Sequence, residues 1–252
     1  MTFITLSGYN ISVLYPFSKS TIILQPGMIV TEEGNIKQTP SKKDQPPALR
    51  IFMQGISYLF HPLFIPTYIF IWLAQRFPFE FSGITPDTMM YRYISIFWMT
   101  AFFPAFAVFL LYKLKFVDSI FLNSKKERII PYIITMFFYW WMYYLSRNFI
   151  DQPLVLKMFY LGIFIASAAG LIFNNFLKIS MHAIAVSSAF TLLITALFYY
   201  NANLGIDLSI CTLITGLVIT ARSIVSDHTS RELSMGLATG IICQLIAAVA
   251  VL

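Results

Sequence analysis

Apolar runs long enough to cross a bilayer dominate the chain after Arg50. A helix needs about 20 residues to span a hydrocarbon core of about 30 Å. Only 11% of the residues are charged, where a soluble domain carries about 25%. Such a chain cannot cover a water-facing surface, so we predict an integral membrane protein. Unpaired backbone is not tolerated in lipid, and the runs lack the alternation of a membrane barrel, so the spans are predicted to be helices.

The apolar runs define seven candidate spans, of which the sixth is short enough to leave the count at six to seven. They are Ile51–Ala74, Tyr93–Leu114, Ile130–Leu145, Leu154–Leu177, Ala183–Tyr199, Leu208–Ala221 and Ser234–Leu252. The predicted fold class is all-α, a polytopic membrane helix bundle in one domain, residues 51–252. Residues 1–50 contain several prolines and glycines without periodicity, and we predict a poorly ordered N-terminal tail.

The parity of the crossings divides the connections between two membrane faces. We call the face that holds residue 50 side A. The connections near 115–129, 178–182 and 222–233 return to side A, and those near 75–92, 146–153 and 200–207 lie on the opposite face, side B. Side A carries most of the 17 Lys and Arg residues, and cytoplasmic loops are enriched in these residues. We therefore expect that the N-terminus and side A face the cytoplasm.

Several classes of partner are not expected. The net charge of +6 does not indicate nucleic-acid binding, because the basic residues lie at the ends of apolar segments. Cys211 and Cys243 lie inside apolar runs, and the side-A acids lack the spaced aspartate pairs of metal-dependent lipid transferases. No cofactor or metal is therefore predicted, and membrane lipids are the expected surroundings. The sequence leaves the oligomeric state open.

Two polar stretches on side A contain candidate anion-binding residues. The first is the basic run 123–131, in which Lys125 and Arg128 lie at the mouth of the third span. The second is the start of the fifth span, where Ser180 and His182 lie at a helix N-terminus, a position that favours anions. Each has a plainer interpretation. The basic run is also typical of an interfacial anchor, and Ser180 is also typical of a helix cap beside an interfacial histidine.

The third polar stretch, residues 221–232, carries the strongest signal. If the chain is helical from His228, then His228 and Glu232 are four residues apart on one face. A carboxylate there accepts the Nδ1 proton of the imidazole and leaves Nε2 with its lone pair, as a nucleophile or base requires. Arg222 supplies a planar charged group for phosphate oxygens. The alternative is a polar turn whose charges are merely solvated.

Together the three stretches resemble the type 2 phosphatidic acid phosphatase superfamily, as a divergent bacterial-type member. Its three motifs are a Lys, six residues, then Arg-Pro; Pro-Ser-Gly-His; and Ser-Arg, five residues, His, three residues, Asp. The third motif keeps every spacing here, from Ala221-Arg222 to Glu232. The second keeps Ser and His but not Pro and Gly. In the first, Arg128 is followed by Pro131, and Phe121 stands in place of the distant Lys, with Lys125 the nearest substitute.

This resemblance implies a phosphatase that works through a phosphohistidine, without a metal. His228 would attack phosphorus, Glu232 would orient His228, and His182 would protonate the leaving group. Phosphate oxygens would be held by Arg222, Arg128, Ser180 and Lys125. The expected substrate is a lipid phosphate or an isoprenoid (di)phosphate, whose chain stays in the bilayer.

The departures from the motifs keep two other hypotheses open. Met181 adds bulk where the family has glycine. The second hypothesis is therefore a catalytically silent relative that binds or moves anionic lipids. A third hypothesis is a small membrane protein whose charges only fix its topology. His61, between prolines in the first span, is interpreted as a neutral histidine that satisfies a freed carbonyl rather than as a catalytic residue.

Overall fold

The structure is a computed structural model. It describes residues 45–116, 127–149, 151–226 and 228–252 in full, and the backbone of four short strands before them. The chain divides into two compact units, Met1–Arg50 and Ile51–Leu252. In the first unit, β1 (Phe3–Leu6) pairs with β2 (Tyr9–Ser12), and β3 (Met28–Val30) pairs with β4 (Ile36–Gln38), both antiparallel. The sequence analysis did not predict these hairpins.

The described part of the second unit is helical. The helices are α1 (Pro47–Leu59), α2 (Ile65–Arg76), α3 (Pro86–Phe97), α4 (Phe103–Lys113), α5 (Ile129–Asn148), α6 (Leu154–Phe176), α7 (Met181–Tyr200), α8 (Gly205–Val225) and α9 (Ser230–Val251). A π-helical segment, Trp98–Phe102, joins α3 to α4 without interruption.

Five helical segments within the described residues are long and apolar enough to cross a membrane. They are the continuous segment Pro86–Lys113, α6, α7, α8 and α9. The prediction of a helical membrane protein is therefore confirmed at this level. α8 has 21 residues, so the expectation that the sixth span is short was wrong. α5 has 20 residues, but its many Tyr and Trp residues make it less apolar than the five.

The first predicted span is not one continuous helix. α1 ends at Leu59 and α2 begins at Ile65, and the chain between them turns, with the Phe64 N–H donating to the His61 carbonyl at 2.9 Å. Pro62 and Pro66 explain the break, because proline lacks the N–H of the helical ladder and disfavours helical geometry in the residue before it. The break places His61 between two short helices.

α9 lies against α6 and α7 through close backbone contacts. A Cβ atom added at Gly240 would lie 2.4 Å from the Ile184 carbonyl oxygen of α7, and one added at Gly236 would lie 2.8 Å from the Ala183 Cβ. On α6, a Cβ atom at Gly162 would lie 2.0 Å from the Gln244 Oε1. The small residues of α9 thus permit close packing of the helices.

Polar contacts join the connections that the parity argument places on side B. The Arg76 Nε lies 3.4 Å from the Asp207 Oδ2, and the Trp72 Nε1 donates to the same carboxylate at 2.8 Å. Arg92 forms an ion pair with Asp151. These contacts fix the end of α2 against the start of α8, so the opposite end of α8 points away from side B.

Candidate functional site

A cavity of about 440 Å³ lies at the opposite end of the helices. α1, α4, α5, α7 and α8 all contribute to its wall. Its lining includes three cationic side chains, Arg128, Lys178 and Arg222, and the histidines His61, His182 and His228. These are all three histidines of the chain. No acidic side chain lines the cavity among the residues that the structure describes, so its electrostatic potential favours an anion.

The connection before α9 positions His228. Thr229 caps α9, and Glu232 closes a capping box in which the Thr229 N–H donates to the Glu232 Oε2 at 2.9 Å. The same carboxylate oxygen lies 3.4 Å from the His228 Nδ1. α9 begins at Ser230 and not at His228, so the expected reason for this contact was wrong. The capping box, rather than a shared helical face, holds the carboxylate beside the imidazole.

His228 is neutral near pH 7. Its side chain is almost fully buried, with 4% of the residue exposed. Burial, together with the charges of Arg222 and Arg128, lowers the pKa of His228 from 6.5 to about 4, although Glu232 opposes the shift. The carboxylate accepts the Nδ1 proton, so Nε2 is the nitrogen that carries the lone pair. A neutral, oriented imidazole is what nucleophilic attack on phosphorus requires.

Arg128 enters the cavity from the start of α5. Burial lowers its pKa below the usual value, while Tyr132, Glu232 and Glu127 raise it. A guanidinium remains charged in proteins even after such a shift. The cavity therefore contains a partly buried permanent cation beside His228.

Arg222 and His182 both contact Ser57 of α1. The Arg222 Nη1 donates to the Ser57 hydroxyl at 2.9 Å. The His182 Nε2 lies 3.1 Å from the Ser57 carbonyl oxygen and 3.4 Å from its hydroxyl. The Arg222 Nε is buried without a hydrogen-bond partner in the described part of the chain. A buried guanidinium with an unused N–H is suited to a second acceptor, such as a phosphate oxygen.

His61 packs directly against His182. Their ring centroids are 5.2 Å apart and the rings are nearly perpendicular. The His61 Nδ1 accepts a long hydrogen bond of 3.4 Å from the Leu63 N–H. We expected His61 to satisfy a carbonyl. Its ring instead accepts a hydrogen bond from a backbone N–H and lines the cavity. The helix break at Pro62 thus brings a third imidazole to the site.

The structure brings together five of the seven residues predicted for the site. Arg128, His182, Arg222 and His228 line one cavity, and Glu232 contacts His228. Ser180 is fully buried, is not among the lining residues, and accepts the Ala183 N–H at 3.4 Å as the cap of α7. The expected phosphate contact of Ser180 is therefore replaced by the capping role. Lys125 lies outside the described residues.

Ser57 and Lys178 are among the lining residues that were not predicted as site residues. Lys178 was visible as a cation four residues before His182, next to the second motif. Ser57 had no local signal, because it lies in an apolar segment more than 100 residues from its partners. Only the packing of α1 against the ends of α7 and α8 reveals it. Met181, the bulky residue in place of the family's glycine, also lines the cavity.

Among the described residues, no group of three His, Cys, Asp or Glu side chains is arranged to hold a metal ion. Comparisons of the chain with family models, with curated proteins and with solved structures find no match.

Proposed function

We propose that the protein is a membrane-embedded phosphatase that hydrolyses a lipid phosphate or an isoprenoid (di)phosphate through a phosphohistidine on His228. One observation carries the proposal: three cations and three histidines line a single cavity that has no acidic lining residue in the described chain. Phosphoryl transfer demands mainly positioning and neutralisation of the phosphate oxygens. A cavity of this composition supplies both.

The proposed reaction has two steps. His182 is neutral without substrate and takes up a proton when the anionic phosphate binds. The His228 Nε2 then forms a bond to phosphorus while the bond from phosphorus to the leaving oxygen breaks, and the His182 imidazolium gives its proton to that oxygen. Water then attacks the phosphohistidine, His182 takes up a proton of the water, and inorganic phosphate leaves with His228 restored. Arg222, Arg128 and Lys178 neutralise the non-bridging oxygens throughout. Protons and charge balance over the two steps.

The cavity's apolar lining supports a substrate that stays in the membrane. Pro62, Leu63, Pro104 and Val108 line it together with the charged residues. α4 also exposes Phe103, Phe106 and Phe109. A phosphate at the charged end and a hydrocarbon chain along the apolar wall fit this division.

We propose that the chain crosses the membrane six to seven times. α5, and the pair α1 and α2 taken together, would add to the five spanning segments. This topology places side A in the cytoplasm of a bacterial inner membrane, as the distribution of Lys and Arg favours. The substrate headgroup then meets the site at the cytoplasmic interface.

A second candidate is a silent relative that binds or moves anionic lipids without hydrolysis. Two observations favour it. The His182 Nε2 is already engaged by the Ser57 backbone carbonyl at 3.1 Å, and Met181 occupies part of the cavity wall. Both reduce the room for a leaving group next to the proton donor.

Phosphate release by purified protein tests the proposal. The panel contains phosphatidic acid, lysophosphatidic acid and a prenyl diphosphate in detergent micelles, and His228→Ala is compared with the wild type. The phosphatase hypothesis expects turnover by the wild type and a loss of at least 1,000-fold in His228→Ala, on the order seen for removal of a catalytic nucleophile.

Orthovanadate binding separates the two candidates. Vanadate mimics five-coordinate phosphorus, so a phosphatase should be inhibited and thermally stabilised by it, and Arg222→Ala should abolish the stabilisation. Binding of lipid phosphate without any turnover would favour the silent relative. If the wild type neither binds nor hydrolyses any member of the panel, both candidates are wrong.

A further inference from the structure

Ser57 occupies an unusual position for a serine in an apolar helix. It lies on the buried face of α1, one turn after Met53, and only 3% of it is exposed. Its side chain lines the cavity next to the cations and histidines. A hydroxyl buried in such surroundings must have its donor and its acceptor capacity matched to specific partners.

The end of α1 determines which ring nitrogen of neutral His182 carries the proton. The last carbonyls of a helix have no N–H partner within the helix. Here the Phe60 N–H donates to Ile56 and the His61 N–H donates to Tyr58, so neither serves the Ser57 carbonyl. The His182 Nε2, at 3.1 Å from that carbonyl oxygen, is placed to donate to it. Neutral His182 therefore carries its proton on Nε2.

This tautomer leaves the Ser57 hydroxyl proton available. A protonated His182 Nε2 cannot accept the hydroxyl proton across their 3.4 Å contact. The hydroxyl oxygen meanwhile accepts from the Arg222 Nη1 at 2.9 Å, which polarises the O–H bond. The described structure thus presents a hydroxyl donor, activated by a guanidinium, at the wall of a cationic cavity.

We infer that Ser57 is an anion-binding residue of this cavity and that its hydroxyl donates to a phosphate-type oxygen that Arg222 also holds. This inference rests on the proposed function, since it deepens the assignment of the same site. Ser57 takes the role that the sequence analysis gave to Ser180, which caps α7 instead. The recognised ligand is a tetrahedral phosphate group, either free or on a lipid.

The break between α1 and α2, which Pro62 and Pro66 cause, also sets the contacts of Ser57. α1 has 13 residues, about 20 Å at 1.5 Å per residue, so it is too short to span. Ending the helix at Leu59 places both the Ser57 carbonyl and the ring of His61 at His182. A continuous helix would satisfy the Ser57 carbonyl internally and would leave His182 without this acceptor.

Vanadate and phosphate affinities of hydroxyl-deleted variants test the inference. Dissociation constants are measured for orthovanadate, inorganic phosphate and a short-chain phosphatidic acid in the wild type, Ser57→Ala and Ser180→Ala. Ser146→Ala is the matched control, because its hydroxyl bonds only a helical carbonyl, that of Tyr143, on side B. Removal of a hydrogen bond to a charged group should weaken all three ligands about tenfold or more in Ser57→Ala.

The controls separate binding from structure. Ser180→Ala should lower the thermal midpoint through the lost cap and leave the affinities within about twofold. In an Arg222→Lys background, Ser57→Ala should still weaken binding at least fivefold, because the hydroxyl contacts the anion itself. No further weakening in that background would show that Ser57 acts only through Arg222 and would overturn the inference.

The outcomes distinguish a failure of the inference about Ser57 from a failure of the proposed function. If the wild type binds vanadate and Ser57→Ala binds it equally well, the inference about Ser57 is wrong while the proposed phosphate site stands. If Ser180→Ala weakens binding and Ser57→Ala does not, the original assignment is right. If the wild type binds none of the three ligands, the proposed function and the inference fall together.

Discussion

Replacing Glu232 with glutamine separates the two tasks of this carboxylate. Its Oε2 accepts the Thr229 N–H at 2.9 Å and lies 3.4 Å from the His228 Nδ1. Glutamine has nearly the same shape, and its amide oxygen still accepts the Thr229 N–H, so the capping box of α9 persists. The same oxygen can still accept the His228 Nδ1 proton, but the negative charge that stabilises a positively charged imidazole is lost.

The effect on stability should be small. A carboxylate in the first turn of a helix contributes about 0.3–1 kcal/mol through the helix dipole, and Glu232 keeps its hydrogen bond as glutamine. We therefore expect Glu232→Gln to lose no more than about 1 kcal/mol of unfolding free energy. Asp87→Asn is the matched control, because Asp87 is also an acid in the first turn of a helix, α3, on side B.

The effect on catalysis should be far larger. In serine proteases, the change from carboxylate to amide lowers kcat about 10⁴-fold, because the imidazole takes the wrong tautomer. Here the same oxygen faces both the Thr229 N–H and the His228 Nδ1, so the tautomer is kept and only the charge is lost. The contact here is 3.4 Å, longer than the roughly 2.7–2.9 Å of a strong charge-assisted hydrogen bond. We expect a smaller loss, on the order of 10²–10³-fold in kcat.

Initial rates of phosphate release measure this loss, on whichever lipid or prenyl phosphate the wild type hydrolyses. Thermal unfolding in the same detergent confirms that Glu232→Gln and Asp87→Asn remain folded. If Glu232→Gln keeps more than a third of the wild-type kcat, then Glu232 does not orient the nucleophile, and the assignment of His228 and Glu232 as a catalytic pair is refuted.

Three further predictions test the structure independently of the substrate. The pKa of His228 is lowered from 6.5 to about 4, so the unfolded chain takes up the proton first as the pH falls. The stability that neutral His228 contributes is full above pH 6.5 and is lost as the pH falls through about 4. Between pH 7 and 4.5 the wild type should therefore lose about 2 kcal/mol more unfolding free energy than His228→Gln, and equal losses in denaturant titrations would contradict this. Gly240→Ala should destabilise by about 1–3 kcal/mol, because its Cβ would lie 2.4 Å from the Ile184 carbonyl oxygen, whereas Gly216→Ala, with nothing within 4 Å, should not; thermal midpoints compare the two. Gln244→Met should raise the midpoint, because both amide atoms of the fully buried Gln244 lack partners in the described chain, and a lower midpoint would indicate a hydrogen bond or water at Gln244.

Part of the candidate site follows from local sequence. Arg222, His228 and Glu232 lie within 11 residues, and Thr229 and Glu232 form a capping box whose spacing is readable from the chain. The parity of the crossings also places Arg128 and His182 at the same end of the bundle as these residues. Each of these inferences depends on short-range geometry or on the number of spans, both of which an apolar pattern reveals.

Other parts of the site depend on contacts between distant segments. The position of Ser180 at a helix start is typical of a cap, but nothing around Ser57, which lies in an apolar segment, shows that its hydroxyl faces the cavity. The hydrogen bonds of Ser57 cross 125 residues to His182 and 165 to Arg222. Such partners are chosen by how the helices pack, so the contacts of Ser57 could not be predicted from the sequence.

The amino-acid sequence by itself determines that this chain enters a membrane as helices, because its backbone and apolar side chains have no other stable arrangement in lipid. It also places the motif residues at one end of the bundle. The tertiary structure alone decided where the first span breaks, which hydroxyl lies at the cations, and that all three histidines share one cavity. Helix breaks and buried hydrogen bonds are settled by competition among neighbouring segments, and those neighbours exist only once the helices have packed.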